Sequence, residues 1–90
     1  MKSHWKSFLS LCLKSHNTNE LSQLLECFLT IEEKKDITDR YLIIKGLLDG
    51  KLTQRDMADK LNVSIAKITR GSNALKSLDP KLKTYLEKNV

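Results

Sequence analysis

Three observations predict an all-α fold. Apolar residues recur at three-to-four spacing along most of the 90 residues. Gly and Pro total only four, too few for the turns of an all-β chain. Ser, Thr and Asp stand where helices need N-caps. At this length the chain makes one small domain with a marginal core of its own, so a partner subunit is expected.

Taken in order, Trp5, Phe8, Leu9, Cys12 and Leu13 mark an amphipathic helix over residues 4–15. Ser15-His16-Asn17-Thr18-Asn19 is a polar turn. A second, shorter helix starts with Leu21, Leu24, Leu25 and Phe28. Thr30-Ile31-Glu32-Glu33 is a capping box: the Thr30 hydroxyl can accept from the Glu33 amide while Glu33 reaches back. The third helix that it opens carries Ile37, Tyr41, Ile44 and Leu48 on one stripe and ends at Gly50, a left-handed C′ residue. Thr53-Gln54-Arg55-Asp56 caps a helix of about two turns edged by Met57 and Leu61. Asn62-Val63-Ser64 is a tight turn with Ser64 as the next cap. Ile65, Ile68, Leu75 and Leu78 are then expected to face inward. Asp79 and Pro80 cap and open a last helix docked by Leu82, Tyr85 and Leu86.

The net charge is +5, and it is concentrated: residues 61–90 carry six basic groups against two acidic ones. A basic final third suits an anionic partner, nucleic acid first and a membrane surface second; a merely solvated face is the bland alternative. No apolar run approaches a membrane span, and the segment from Phe8 to Leu13 is short for a secretory core with no small-residue cleavage site after it, so a cytoplasmic location is expected. Cys12 and Cys27 read as reduced core residues, and with His4 and His16 they make no metal set. There is no nucleophile–base pair, paired catalytic carboxylate or phosphate loop, so an enzyme is not expected.

The short helix, three-residue turn and basic helix over residues 53–77 form a helix-turn-helix pattern. A major groove of about 12 Å admits one helix, whose first side chains reach base edges. Gln54 and Arg55 open the bracing helix, where backbone amides favour phosphate. Ser64, Ala66, Lys67 and Thr69 are placed on the outward side of the second helix, and Lys76 extends its basic edge. The same spacing also suits a helical hairpin in a bundle that binds no DNA.

The stretch Ile68-Thr69-Arg70-Gly71-Ser72-Asn73-Ala74-Leu75-Lys76 resembles the signature of the bacterial tryptophan repressor family. The resemblance runs without gaps from about Leu21 to Leu86, through Leu29-Thr30, Glu32-Glu33, Arg40 and Leu52-Thr53-Gln54-Arg55. It implies a six-helix intertwined homodimer containing a helix-turn-helix, with a dimerisation core over 4–50 and 79–90 and a reading head over 53–77. It also implies L-tryptophan as corepressor, double-stranded operator DNA as partner, and repression of tryptophan metabolism or uptake genes.

By that resemblance, Arg40 and Arg70 flank the indole, and Arg70 also meets the ligand carboxylate, near Thr30. Cys27 and Leu29 present carbonyls to the ligand ammonium from the partner subunit, and Gly71 leaves room for the ring. Gln54, Arg55, Ile65, Ala66, Thr69 and Lys76 line the DNA. The chemistry agrees, because a guanidinium pairs with carboxylates and stacks on aromatic faces. Read without the family, Arg40 suits an ion pair with Asp36 or Asp39, Arg70 a solvated helix surface and Gly71 close helix packing. The sequence departs from the family pattern at Ala74, where a serine helps hold the ligand amino group, and at Lys67, in place of a threonine close to the ligand and DNA, where a lysine adds a phosphate contact or crowds the slot. Two rivals follow: a helix-turn-helix repressor answering to a different small ligand, and a helical interaction module that binds no DNA.

Overall fold

In the computed structural model, which describes residues 3–90, six helices follow one another: α1 (His4–Leu13), α2 (Thr18–Phe28), α3 (Ile31–Asp49), α4 (Gln54–Leu61), α5 (Ile65–Lys76) and α6 (Pro80–Asn89). There is no strand among the described residues. The chain divides into two compact units, one ending at Lys34 and the other beginning at Lys35.

In the first unit, the Ser3 hydroxyl accepts from the Lys6 amide to start α1. The helix stops at Leu13, short of the expected residue 15, because the Lys14 and Ser15 amides donate to the carbonyls three residues back, Leu11 and Cys12. The second helix is not the shorter one: it begins at Thr18, before the first apolar residue. Its start is fixed by polar capping, since the Asn17 side chain accepts from the Glu20 amide at 2.9 Å and the Glu20 carboxylate accepts from the His16 amide at 2.8 Å. That backbone bond, and then the one from the His16 ring, hold the Glu20 carboxyl below its ordinary value. Phe8 joins α1 to α2, stacking on Trp5 and meeting Phe28 edge-on at 5.1 Å between centroids. Cys12 is half-buried but Cys27 is exposed, so Cys27 is not a core residue of this chain. The capping box forms as expected: the Thr30 amide donates to Glu33 Oε1 at 2.9 Å, and the Glu33 amide to Thr30 Oγ1 at 3.1 Å.

In the second unit, Ile43 of α3, Met57 and Ala58 of α4 and Ile68 of α5 form the buried core, with Leu47, Leu61 and Val63 packed against it. The helix-turn-helix is thus seated on α3. Close approach requires small residues on α3 and α5. A Cβ on Gly46 would meet Met57 Sδ at 3.0 Å, and one on Gly71 would meet Ile43 Cγ2 at 2.6 Å. Gly50 takes φ +71° and ends α3 as expected.

Of the expected inward stripe of α3, Ile44 and Leu48 are partly buried and the other two residues are exposed. Ile37 and Tyr41 are more than half or half exposed, at 57% and 50%, whereas Ile43 is buried. The centre of the packing face lies one residue along the sequence, about 100° round the helix. Ile65 is likewise exposed, whereas Ile68 is fully buried and Leu75 and Leu78 are partly buried, as expected. Leu82 and Tyr85 are also exposed, and only Leu86 of the expected docking residues of α6 is partly covered.

Candidate functional site

A cleft of about 170 Å³ opens between α3 and α5, lined by Asp36, Asp39, Arg40, Ile43, Lys67 and Arg70. Arg40 and Arg70 therefore share one cavity although they come from different helices. The Gly71–Ile43 contact explains how: with no Cβ at residue 71, α5 lies against α3, and the Arg40 Cδ is 3.8 Å from where that Cβ would stand. The glycine consequently has a packing reason that needs no ligand.

The electrostatics of the cleft divide its cations. Lys67 Nζ donates to Asp39 Oδ2 at 3.2 Å and to Asp36 Oδ1 at 3.3 Å. Asp39 also accepts from Lys35 at 2.8 Å, and its side chain is only 12% exposed. Lys35 first and Lys67 second hold the Asp39 carboxyl below its ordinary value. Asp39 first and Asp36 second push the Lys67 ammonium above its own. Arg40 and Arg70 make no ion pair among the described residues, so the aspartates expected to pair with Arg40 pair with lysines instead. Two guanidinium groups remain on one cavity with their donors available to an anion.

Lys67, expected on the outward side of α5 at a position that the resemblance puts close to the ligand, is half-buried and lines the cleft. Asp36, Asp39 and Ile43 complete the lining without having been assigned a site role. The signal available for the two carboxylates was their spacing, three residues apart on the turn before Arg40. Ala74 is half-buried on α5 and is not part of the cleft lining. Cys27, Leu29 and Thr30 belong to the first unit, at the end of α2 and the cap of α3. The Thr30 hydroxyl there serves the Glu33 amide.

The turn of the helix-turn-helix is closed by Asn62. At φ +54° it sits in the left-handed region, its amide donating to the Asp59 carbonyl and that of Val63 to the Ala58 carbonyl. This is the Schellman pattern with asparagine in glycine's place. The Ser64 hydroxyl then accepts from the Lys67 amide at 3.2 Å and opens α5. Gln54, Arg55, Ser64, Ile65, Ala66, Thr69 and Lys76 are all exposed. Thr69 donates its hydroxyl proton to the Ile65 carbonyl at 3.1 Å.

Six helices, a capped helix-turn-helix and a cleft with two unpaired arginines beside its second helix define a small all-helical protein of the helix-turn-helix class. Residues 3–90 match the family described as Trp repressor protein. The chain is 52% identical over 89 residues to the Trp operon repressor homolog of Chlamydia trachomatis serovar D, covering 99% of this chain and 95% of that one. It is 47% identical over 83 residues to the homolog of Chlamydia caviae, covering 92% and 82% respectively. The homolog of Xylella fastidiosa strain M23 is 37% identical over 86 residues, covering 96% and 91%. The chain belongs to the Trp repressor family, a family of transcription regulators rather than enzymes. No described helix is long and apolar enough to cross a membrane.

Proposed function

We propose that the protein is a cytoplasmic, homodimeric transcriptional repressor that binds operator DNA when L-tryptophan occupies the cleft between Arg40 and Arg70. The observation that carries this reading is the shared cavity: two guanidinium groups, free of carboxylate partners among the described residues, on the helix that seats the reading head and on the reading helix itself. One arginine takes the ligand carboxylate, and both stack on the indole faces. On the family resemblance, the Cys27 and Leu29 carbonyls of a second copy meet the ligand ammonium and a threonine at position 30 its carboxylate, with Gly71 and Ala74 on the α5 side. Gln54, Arg55, Ser64, Ile65, Ala66, Thr69 and Lys76 form the DNA face.

Exposed apolar surface supports the dimer. Trp5, Leu13, Phe28 and Ile31 of the first unit are 53–85% exposed, against four buried apolar residues among the described residues, all in the second unit. A second copy removes that surface from water. Dimeric helix-turn-helix proteins, tryptophan repressors among them, are known to set their heads about 34 Å apart, one turn of DNA, and read near-palindromes. A ligand wedged between α3 and α5 favours the arrangement it binds best.

Calorimetric titration with L-tryptophan, indole and related amino acids, followed by selection of operators from random DNA with and without tryptophan, tests the reading. Binding of tryptophan and enrichment of a two-fold site only in its presence are expected. Enrichment that ignores tryptophan points to another ligand, and no enrichment points to an interaction module.

A further inference from the structure

We infer that Lys67 is a positioning residue of the ligand cleft: its ion pairs with Asp36 and Asp39 clamp the first turn of α5 onto α3 and so fix the separation of Arg40 and Arg70. The inference rests on the proposed ligand site and adds to it a residue that sets its geometry. Residues 67 and 71 lie one helical turn apart on the same face of α5. At residue 71 the helix meets Ile43 without a side chain between them. At residue 67 the long side chain spans to two carboxylates on α3, in the same cleft. Arg70 sits between these two attachments, so its place over the cleft follows from both.

Asp39 is suited to anchor such a clamp. Its side chain is 12% exposed, and Oδ2, the oxygen that Lys67 reaches, also accepts from Lys35, so it is a fixed acceptor rather than a mobile surface carboxylate. Lys67, at 37% exposure, is the less covered partner. Two of the three donors of the Lys67 ammonium are engaged by carboxylates, which distinguishes it from the exposed residues of the proposed DNA face.

The test compares Lys67→Gln, Lys67→Arg and the double variant Asp36→Asn/Asp39→Asn by calorimetric tryptophan affinity, at low and high salt. Partly exposed ion pairs contribute enough to change an equilibrium by about twofold to fivefold. Lys67→Gln and the double variant are both expected to weaken tryptophan binding by about that factor, Lys67→Arg to retain most of it, and the differences to shrink at high salt. The matching sign is decisive. Simple charge attraction of the ligand carboxylate predicts opposite effects from removing a cation and removing two anions. Opposite signs, or a Lys67→Gln protein that binds tryptophan as well as the parent, overturn the inference. Amide hydrogen exchange reads the clamp without any ligand. Faster exchange over residues 66–70 in Lys67→Gln, restored in Lys67→Arg, is expected, and unchanged protection overturns the inference. Should the parent chain bind no tryptophan, the proposed function fails and the exchange measurement alone decides the clamp.

Discussion

Gly71 is the residue at which two opposing effects can be weighed. Alanine is the better helix former by about 1 kcal/mol. Here its methyl would stand 2.6 Å from Ile43 Cγ2, and overpacking of this kind costs about 1–3 kcal/mol. Gly71→Ala is therefore expected to lower the urea midpoint, and Gly71→Ala with Ile43→Ala to cost less than the two single changes together. The Lys67–Asp39 pair gives a pH signature in the same experiment. The folded Asp39 carboxyl titrates below its ordinary 3.8, so its contribution is present above that value and disappears as pH falls through the folded one. The folded Lys67 ammonium titrates above its ordinary 10.5, so its contribution is present below that value and disappears as pH rises through the folded one. The coupling in a Lys67→Gln/Asp39→Asn cycle should be constant across neutral pH and vanish at both extremes. A coupling that varies between pH 6 and 9 would contradict the assignment.

Among the elements, those defined by local chemistry were legible and those defined by distant contacts were not. Thr30, Thr53, Ser64 and Asp79 all cap as their short-range patterns indicate, because a cap needs only its own next three residues. The centre of the face of α3 that packs inward was misplaced by one residue, because Ile43 and Ile44 satisfy a helical spacing equally well and only the seat of α4 and α5 chooses between them. The ion pairs of Lys67 have no local signal for the same reason: its partners lie 28 and 31 residues away. The two arginines of the cleft were found through a family signature, since their own spacing of thirty residues carries no periodic signal. The turn of the helix-turn-helix offers a test at this scale. Asn62 occupies the left-handed region, where a side-chained residue other than Asn or Asp costs about 1–2 kcal/mol. Asn62→Gly is expected to be near neutral in thermal unfolding and Asn62→Val to lose about that amount. Equal stability of the two would show that the turn relaxes.

For the whole molecule, the proposed homodimer makes stability a property of an assembly. The melting temperature of a homodimer rises with protein concentration, and sedimentation should report twice the chain mass. A charge introduced at Ile31, which is 85% exposed, should lower both the mass and the melting temperature if a second copy covers it, and change neither if it remains in water. The sharpest measurement joins the cleft to the DNA: operator affinity at fixed salt, with and without saturating L-tryptophan, for the parent chain and for Arg70→Ala. A tightening of about tenfold or more is predicted for the parent, equivalent to about 1.4 kcal/mol of coupling, and its loss in the variant. An operator affinity indifferent to tryptophan, or an Arg70→Ala protein that responds as the parent does, would contradict the account.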